Sequence, residues 1–156
     1  MDFDLTDEQS LIKEQLDRLL ADNYGFEQRQ KYARAAEGWS ADMWRHYAEM
    51  GLMALPFAEE HGGIGGGPVD TMIVMESFGR VLALEPYFTT VVLGGGFVAS
   101  GGDDAQKTRL IPGIAEGSAK YAFAQTERRS RNDLAHVETK AAKEGSRWRI
   151  SGAKSL

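Results

Sequence analysis

The sequence predicts a mainly α chain in which an all-α helical bundle is followed, in a segregated way, by the first strands of a β-domain. Three observations predict this. Apolar residues recur at helical spacing through the first three quarters of the chain, and after Gly117 the period changes to alternation, with Tyr121, Phe123 and Gln125 interleaved by small or polar residues. The charge balance turns over in the same region: residues 1–127 carry 10 Lys and Arg against 20 Asp and Glu, and residues 128–156 carry 8 against 3. Helices first and strands afterwards imply two separate units and not a βαβ sheet. The expected division is an α domain over residues 1–117 and the incomplete start of a β-domain over 118–156.

Each element has a local cause. Thr6 followed by Gln9 forms a capping box, and Leu11, Ile12, Leu16, Leu19 and Leu20 fall on one helix face, so a first helix is expected over about 6–23. A weaker helical pattern runs from Phe26 to about Glu37. Ser40 caps a third helix that presents Met43, Trp44, Tyr47 and Met50 before Gly51 stops it. Residues 52–68 hold Pro56, Pro68 and five glycines, which makes a loop. That loop lacks the Gly-Lys-Ser/Thr ending of a phosphate-binding loop and the strand before a dinucleotide fingerprint, so its glycines are expected to serve turns. Met72, Ile73, Met75, Val81 and Leu82 support a helix from Val69 to Leu84, ended by Glu85-Pro86. Tyr87 to Ala99 is a nearly uncharged helix interrupted by Gly94-Gly95-Gly96, which together cost about 2–3 kcal/mol of helix propensity. Asp103 caps a short helix, 105–111, expected to stop at Pro112-Gly113. Strands are expected around 121–126, 137–141 and 148–150.

Composition excludes several functions. At 156 residues with 42% hydrophobic and 26% charged residues, the chain has the makeup of a globular domain. It has no cysteine, which removes disulfides, cysteine-bound zinc, iron–sulfur clusters and thiol nucleophiles. His46, His61 and His136 are scattered without metal-ligand spacing, so no metal is expected. The acidic body, inside a net charge of -5, argues against a nucleic-acid partner. No apolar run approaches the length of a membrane span, and the segment around Asp2, Asp4 and Asp7 is acidic where a signal peptide is basic; the expectation is a cytoplasmic protein with no membrane partner. No Ser–His–acid set or paired carboxylates stand out.

Taken together, the stretches DFDLTDEQSLIKEQLDRLL, MWRHYAEMGLMALPFAEEHGGIGGGPVDTMIVMESFGRVLALEP, AKYAFAQTE and GSRWRISGAKS resemble, in order, the N-terminal portion of an acyl-CoA dehydrogenase. Among subgroups the pattern is most similar to the small subunit of pimeloyl-CoA dehydrogenase type. The resemblance implies an FAD-dependent oxidoreductase of fatty acid metabolism and β-oxidation. Such an enzyme converts an acyl-CoA thioester to a trans-2-enoyl-CoA and passes electrons to an electron-transferring flavoprotein, within a homo- or hetero-oligomer. It also implies an α domain, a β-barrel-like middle domain and a C-terminal four-helix domain, with this chain stopping before the last. The family's glutamate base comes from that last domain, so no catalytic residue is assigned and residues 1–156 alone are expected to be inactive.

Carried over by position, the family's Tyr-x-Val-Thr-Glu flavin segment matches Phe123-Ala124-Gln125-Thr126-Glu127, so the resemblance implies that Phe123, Gln125 and Thr126 bind the cofactor, with Thr126 donating to the isoalloxazine edge. The following Pro-Gly-x-Gly-Ser-Asp turn is replaced here by Arg128-Arg129-Ser130-Arg131-Asn132-Asp133, with Asn132 at the ligand-contacting serine position. A flavin-contacting tryptophan of many members falls at Leu156. Val92 and Gly95, in the glycine-broken helix, match the region that lines the acyl pocket, and helix packing explains the glycines nearly as well. The altered turn keeps a second reading open, a non-catalytic structural partner subunit of a heteromeric dehydrogenase.

Overall fold

The fold begins at a cap. In the computed structural model, which describes residues 4–155, the Gln9 amide donates to the Thr6 hydroxyl at 3.2 Å and the Thr6 amide donates to the Gln9 side chain at 3.1 Å. Two orphan amides are thereby satisfied, and α1 runs over Asp7–Asn23 with Leu16 and Leu20 buried. Leu11, expected on the buried face, is 55% exposed. Helix α2 covers Phe26–Ala33 and ends four residues before the expected Glu37. Helix α3, Ala41–Glu49, starts where the Ser40 hydroxyl accepts from the Met43 amide and buries Met43, Trp44 and Tyr47.

Residues 52–67 form the expected loop, with one 3-10 turn at Glu59–His61. Three of its glycine amides are spent on the loop itself: Gly63 donates to Ala58, Gly65 to Phe57 and Gly66 to Leu55. A side chain at Gly63 would place its Cβ 1.9 Å from the Phe57 carbonyl oxygen, so close backbone approach explains this glycine. Helix α4, Pro68–Val81, packs on α1, where the Ser77 hydroxyl donates to Asp17 at 2.6 Å. It ends earlier than the predicted Leu84, because Leu82 turns left-handed (φ 53°) and its carbonyl accepts from the Arg29 side chain at 2.8 Å. Glu85 is buried and accepts from the Tyr24 hydroxyl (2.7 Å), the Tyr47 hydroxyl (3.2 Å) and the Ser40 amide (3.0 Å). A buried carboxylate with three donors ties α1, α3 and the end of α4 together.

The uncharged helix predicted over 87–99 is a π-helix over Phe88–Gly95 that passes into α5, Gly96–Gly101. Helix α6 runs over Asp104–Ala115 behind the Asp103 cap and overruns its predicted stop at Pro112. Ile111, Ile114 and Ala115 are buried in the core, and that burial outweighs the proline, which costs on the order of 3 kcal/mol inside a helix.

Residues 118–122 belong with the helices. The Ala119 amide donates to Gly113, the Tyr121 amide donates to the Thr90 hydroxyl at 3.2 Å, and Lys120 sits 5.3 Å and 5.6 Å from the Trp39 and Trp44 ring centres. The chain accordingly divides between Ala122 and Phe123, five residues beyond the sequence-based boundary. The expected strand at 121–126 is absent, since a strand needs a backbone ladder and Tyr121 pairs instead with a threonine side chain.

The second unit contains one antiparallel hairpin, β1 Lys140–Glu144 and β2 Arg147–Ser151, with Ala141 opposite Ile150 and Lys143 opposite Trp148. Strand β1 starts three residues later than predicted because the Glu138 and Thr139 amides are taken by the Glu127 carboxylate. Among the described residues, no helix is long and apolar enough to cross a membrane.

Candidate functional site

The segment Phe123–Glu127 opens the second unit and is held from one side by the chain's last described residues. Lys154 donates its ammonium to the Gln125 carbonyl at 3.1 Å and to the Glu127 carboxylate at 2.9 Å. Between them, the Thr126 carbonyl accepts from the Ser155 amide at 2.9 Å. Glu127 is 3% exposed and receives in addition the Thr139 hydroxyl at 2.6 Å and the Thr139 amide at 3.0 Å, with the Glu138 amide completing the set. The Thr139 hydroxyl, the Lys154 ammonium and the Glu138 amide all favour the ionised form, and they lower the Glu127 carboxyl from 4.5 to about 2.

Thr126 itself is exposed, and among the described residues neither its amide nor its hydroxyl makes a hydrogen bond. An amide and a hydroxyl left open on an anchored backbone form a donor pair suited to the acceptor atoms at the edge of a flavin ring. Gln125 is half-buried and its side-chain amide lies 3.4 Å from the Leu134 carbonyl; Phe123 is 38% exposed.

The turn that follows is built by Ser130. Its hydroxyl donates to the Glu127 carbonyl at 2.8 Å and accepts from the Glu127 amide at 3.1 Å, while the Asp133 amide donates to the Ser130 carbonyl at 2.8 Å. Arg131 adopts a left-handed φ of 46°, a place where the family pattern offers glycine. Arg128, Arg129 and Arg131 line a shallow surface depression with His136 and Glu138, where the Glu138 carboxylate lies 3.5 Å from the Arg129 guanidinium and 3.4 Å from the His136 ring. Asn132 is exposed in this turn, and Leu156 lies outside the described residues.

Val92 and Gly95 lie in the first unit, on the π-helix, where Val92 is half-buried and Gly95 buried. The room a side chain at Gly95 would need is held by the Phe57 ring, 2.4 Å from the position of an added Cβ, and that beside Gly94 by Tyr121 at 2.6 Å. Close packing is thus what the structure shows at these two glycines. Gly96 has nothing within 4 Å. Among the described residues, no group of three or more His, Asp or Glu gathers at metal-binding distance.

The family model for the N-terminal domain of acyl-CoA dehydrogenases matches residues 6–118. The chain belongs to the acyl-CoA dehydrogenase family. It is 35% identical over 133 residues to acyl-CoA dehydrogenase FadE12 of Mycobacterium tuberculosis, an alignment covering 85% of this chain and 34% of that protein. The chain therefore spans about a third of the length of that curated relative. Among solved structures it superposes on a steroid ACAD, Tcur3481-Tcur3483, in a variant form, with a TM-score of 0.85 at 25% identity over 96% of this chain and 41% of the other. An acyl-CoA dehydrogenase complexed with FAD from Bacillus anthracis gives a TM-score of 0.81 at 24% identity over 96% of this chain and 26% of that one. These likenesses bear out the α-then-β architecture expected of an acyl-CoA dehydrogenase.

Lys154 and the role of Glu127 leave no local signal in the sequence. Their pairing joins positions 27 residues apart, which no periodicity reveals. The one signal was indirect, since both ends of the pair lie in stretches, AFAQTE and ISGAKS, that carried the family resemblance.

Proposed function

We propose that this chain supplies the N-terminal domain and the flavin-contacting start of the middle domain of an FAD-dependent acyl-CoA dehydrogenase. The reaction breaks the α and β C–H bonds of an acyl-CoA thioester and forms trans-2-enoyl-CoA, the α hydrogen leaving as a proton to a base that residues 1–156 do not supply and the β hydrogen leaving with its electron pair. Its two electrons pass to an electron-transferring flavoprotein. Bound FAD supplies the two-electron acceptor. This chain's own residues bind and orient: Thr126 donates its amide and hydroxyl to the flavin edge, where fixed donors stabilise the negative charge that reduction brings. Phe123 and Gln125 flank that edge. Asn132 contacts the CoA-bearing ligand through its side-chain amide, and Val92 borders the acyl group.

The observation that carries this reading is the open donor pair of Thr126 on a segment otherwise pinned by Lys154, Ser155 and Ser130. Thr126→Val keeps the shape and removes the hydroxyl. It is expected to weaken flavin retention by about tenfold, the loss of one hydrogen bond at roughly 1–1.5 kcal/mol. Flavin occupancy is measured by absorbance of the purified full-length protein, and unchanged occupancy would leave Thr126 an exposed residue with no part in holding the flavin.

A second reading rests on the turn. Three arginines and Asn132 stand where the family has Pro-Gly-x-Gly-Ser-Asp, and Arg131 takes a backbone conformation that suits glycine. A partner subunit that shapes a heteromeric dehydrogenase without turning over substrate fits that departure. Purified protein that binds its partner and holds no flavin would favour it.

A further inference from the structure

We propose that Lys154 is a positioning residue for the flavin segment, fixing Gln125 to Glu127 from one side so that the Thr126 donors point at the cofactor. The proposal rests on the flavin reading of that segment and extends it to residues outside the matched motif. Three consecutive residues are held by two: Lys154 grips the Gln125 carbonyl and the Glu127 carboxylate, and Ser155 grips the Thr126 carbonyl between them. A lysine ammonium carries three divergent donors, which lets one side chain serve a carbonyl and a carboxylate at the same time.

The need for such a grip follows from the backbone. Residues 123–126 form no strand, so no ladder of main-chain bonds fixes their φ and ψ. Hydrogen-bond strength falls steeply with angle, and a donor pair on a rotating backbone would meet a flat ring edge poorly. Glu127 is the fixed end of the device. Its carboxylate is buried under Thr139, Glu138 and Lys154, and its amide and carbonyl are closed by the Ser130 hydroxyl. Lys154 transmits that fixed point back across Thr126 to Gln125. The main-chain carbonyls of Gln125, Thr126 and Glu127 are consumed by the protein, and the Thr126 donors are left open.

The test is a double-mutant cycle in the purified full-length protein, read as the dissociation constant of FAD from fluorescence titration of the stripped protein, with thermal unfolding recorded for each variant. Thr126→Val and Lys154→Met are each expected to weaken FAD binding by about tenfold, as for one hydrogen bond. Their combination should fall well short of the hundredfold product, because a misaimed Thr126 has little left to lose. Lys154→Arg, which keeps the charge over Glu127, should recover most of the affinity. Full multiplication of the two effects, or unchanged FAD affinity in Lys154→Met, would overturn the proposal and leave Lys154 a stabilising ion pair. If Lys154→Met does not fold, Glu127→Gln takes its place in the cycle with the same criterion. A parent protein that binds no FAD would instead overturn the flavin reading itself, which separates the two failures.

Discussion

Alanine substitution at the three consecutive glycines is expected to give two different results. An added Cβ at Gly95 would lie 2.4 Å from Phe57 Cζ, 2.9 Å from Phe57 Cε1 and 3.3 Å from the Thr90 carbonyl oxygen. Carbon atoms rest at about 3.5–4.0 Å, and Phe57 is 1% exposed, so the ring has no solvent to swing into. Overpacking of this kind costs about 1–3 kcal/mol, and the shortfall of more than an ångström calls for the upper part of that range. Replacing a helical glycine returns about 1 kcal/mol. The net loss for Gly95→Ala is about 1–2 kcal/mol, or roughly 2–8 °C in Tm for a chain of this size. Gly94→Ala should fall similarly against Tyr121, whereas Gly96→Ala, with open space around it, should match the parent or gain up to about 1 kcal/mol. Thermal melting followed by circular dichroism at the helical minimum checks all three. Gly95→Ala melting at or above the parent, or Gly96→Ala losing as much as Gly95→Ala, would refute the packing argument. Gly95→Val would then separate the remaining possibility, an acyl-facing wall, by a shift toward shorter acyl chains with the fold intact.

Two further predictions rest on other parts of the molecule. Gly79 is exposed in the interior of α4 with nothing within 4 Å of an added Cβ, so Gly79→Ala should raise stability by about 0.5–1 kcal/mol; a lower Tm would mean that another surface sits against this helix face. The carboxyl of Glu127 is lowered from 4.5 to about 2 by the folded state, so its stabilising contribution is complete above about pH 4.5 and is lost as pH falls toward 2. Melts of parent and Glu127→Gln across that window should converge at the acid end, and parallel curves would show that the carboxylate is not the group responsible.

The sequence disclosed elements with local causes and missed those with distant ones. Thr6 with Gln9, Ser40 and Asp103 each announced a helix start that the structure bears out, because a cap involves residues three positions apart. The π-helix was invisible, since an apolar run does not distinguish its wider turn from an α-helix. Pro112 misled because burial of Ile111 and Ile114 overrides a local breaker. The alternation at 121–126 suggested a strand, yet its partner at Tyr121 is the Thr90 side chain, 31 residues away. In the candidate site, Thr126 was legible through the family resemblance alone, and its exposure with open donors is a structural finding. The clamp formed by Glu127, Thr139 and Lys154 was not legible, because a buried carboxylate collects donors from across the unit without leaving a period in the chain.

Anaerobic titration of the purified full-length protein with acyl-CoA thioesters of graded chain length, followed in the flavin absorbance bands, decides whether the protein is an FAD-dependent acyl-CoA dehydrogenase. The expected result is a protein that carries FAD and whose flavin band bleaches with at least one acyl-CoA. A protein without flavin, or a flavin that no acyl-CoA in the series reduces, would contradict it.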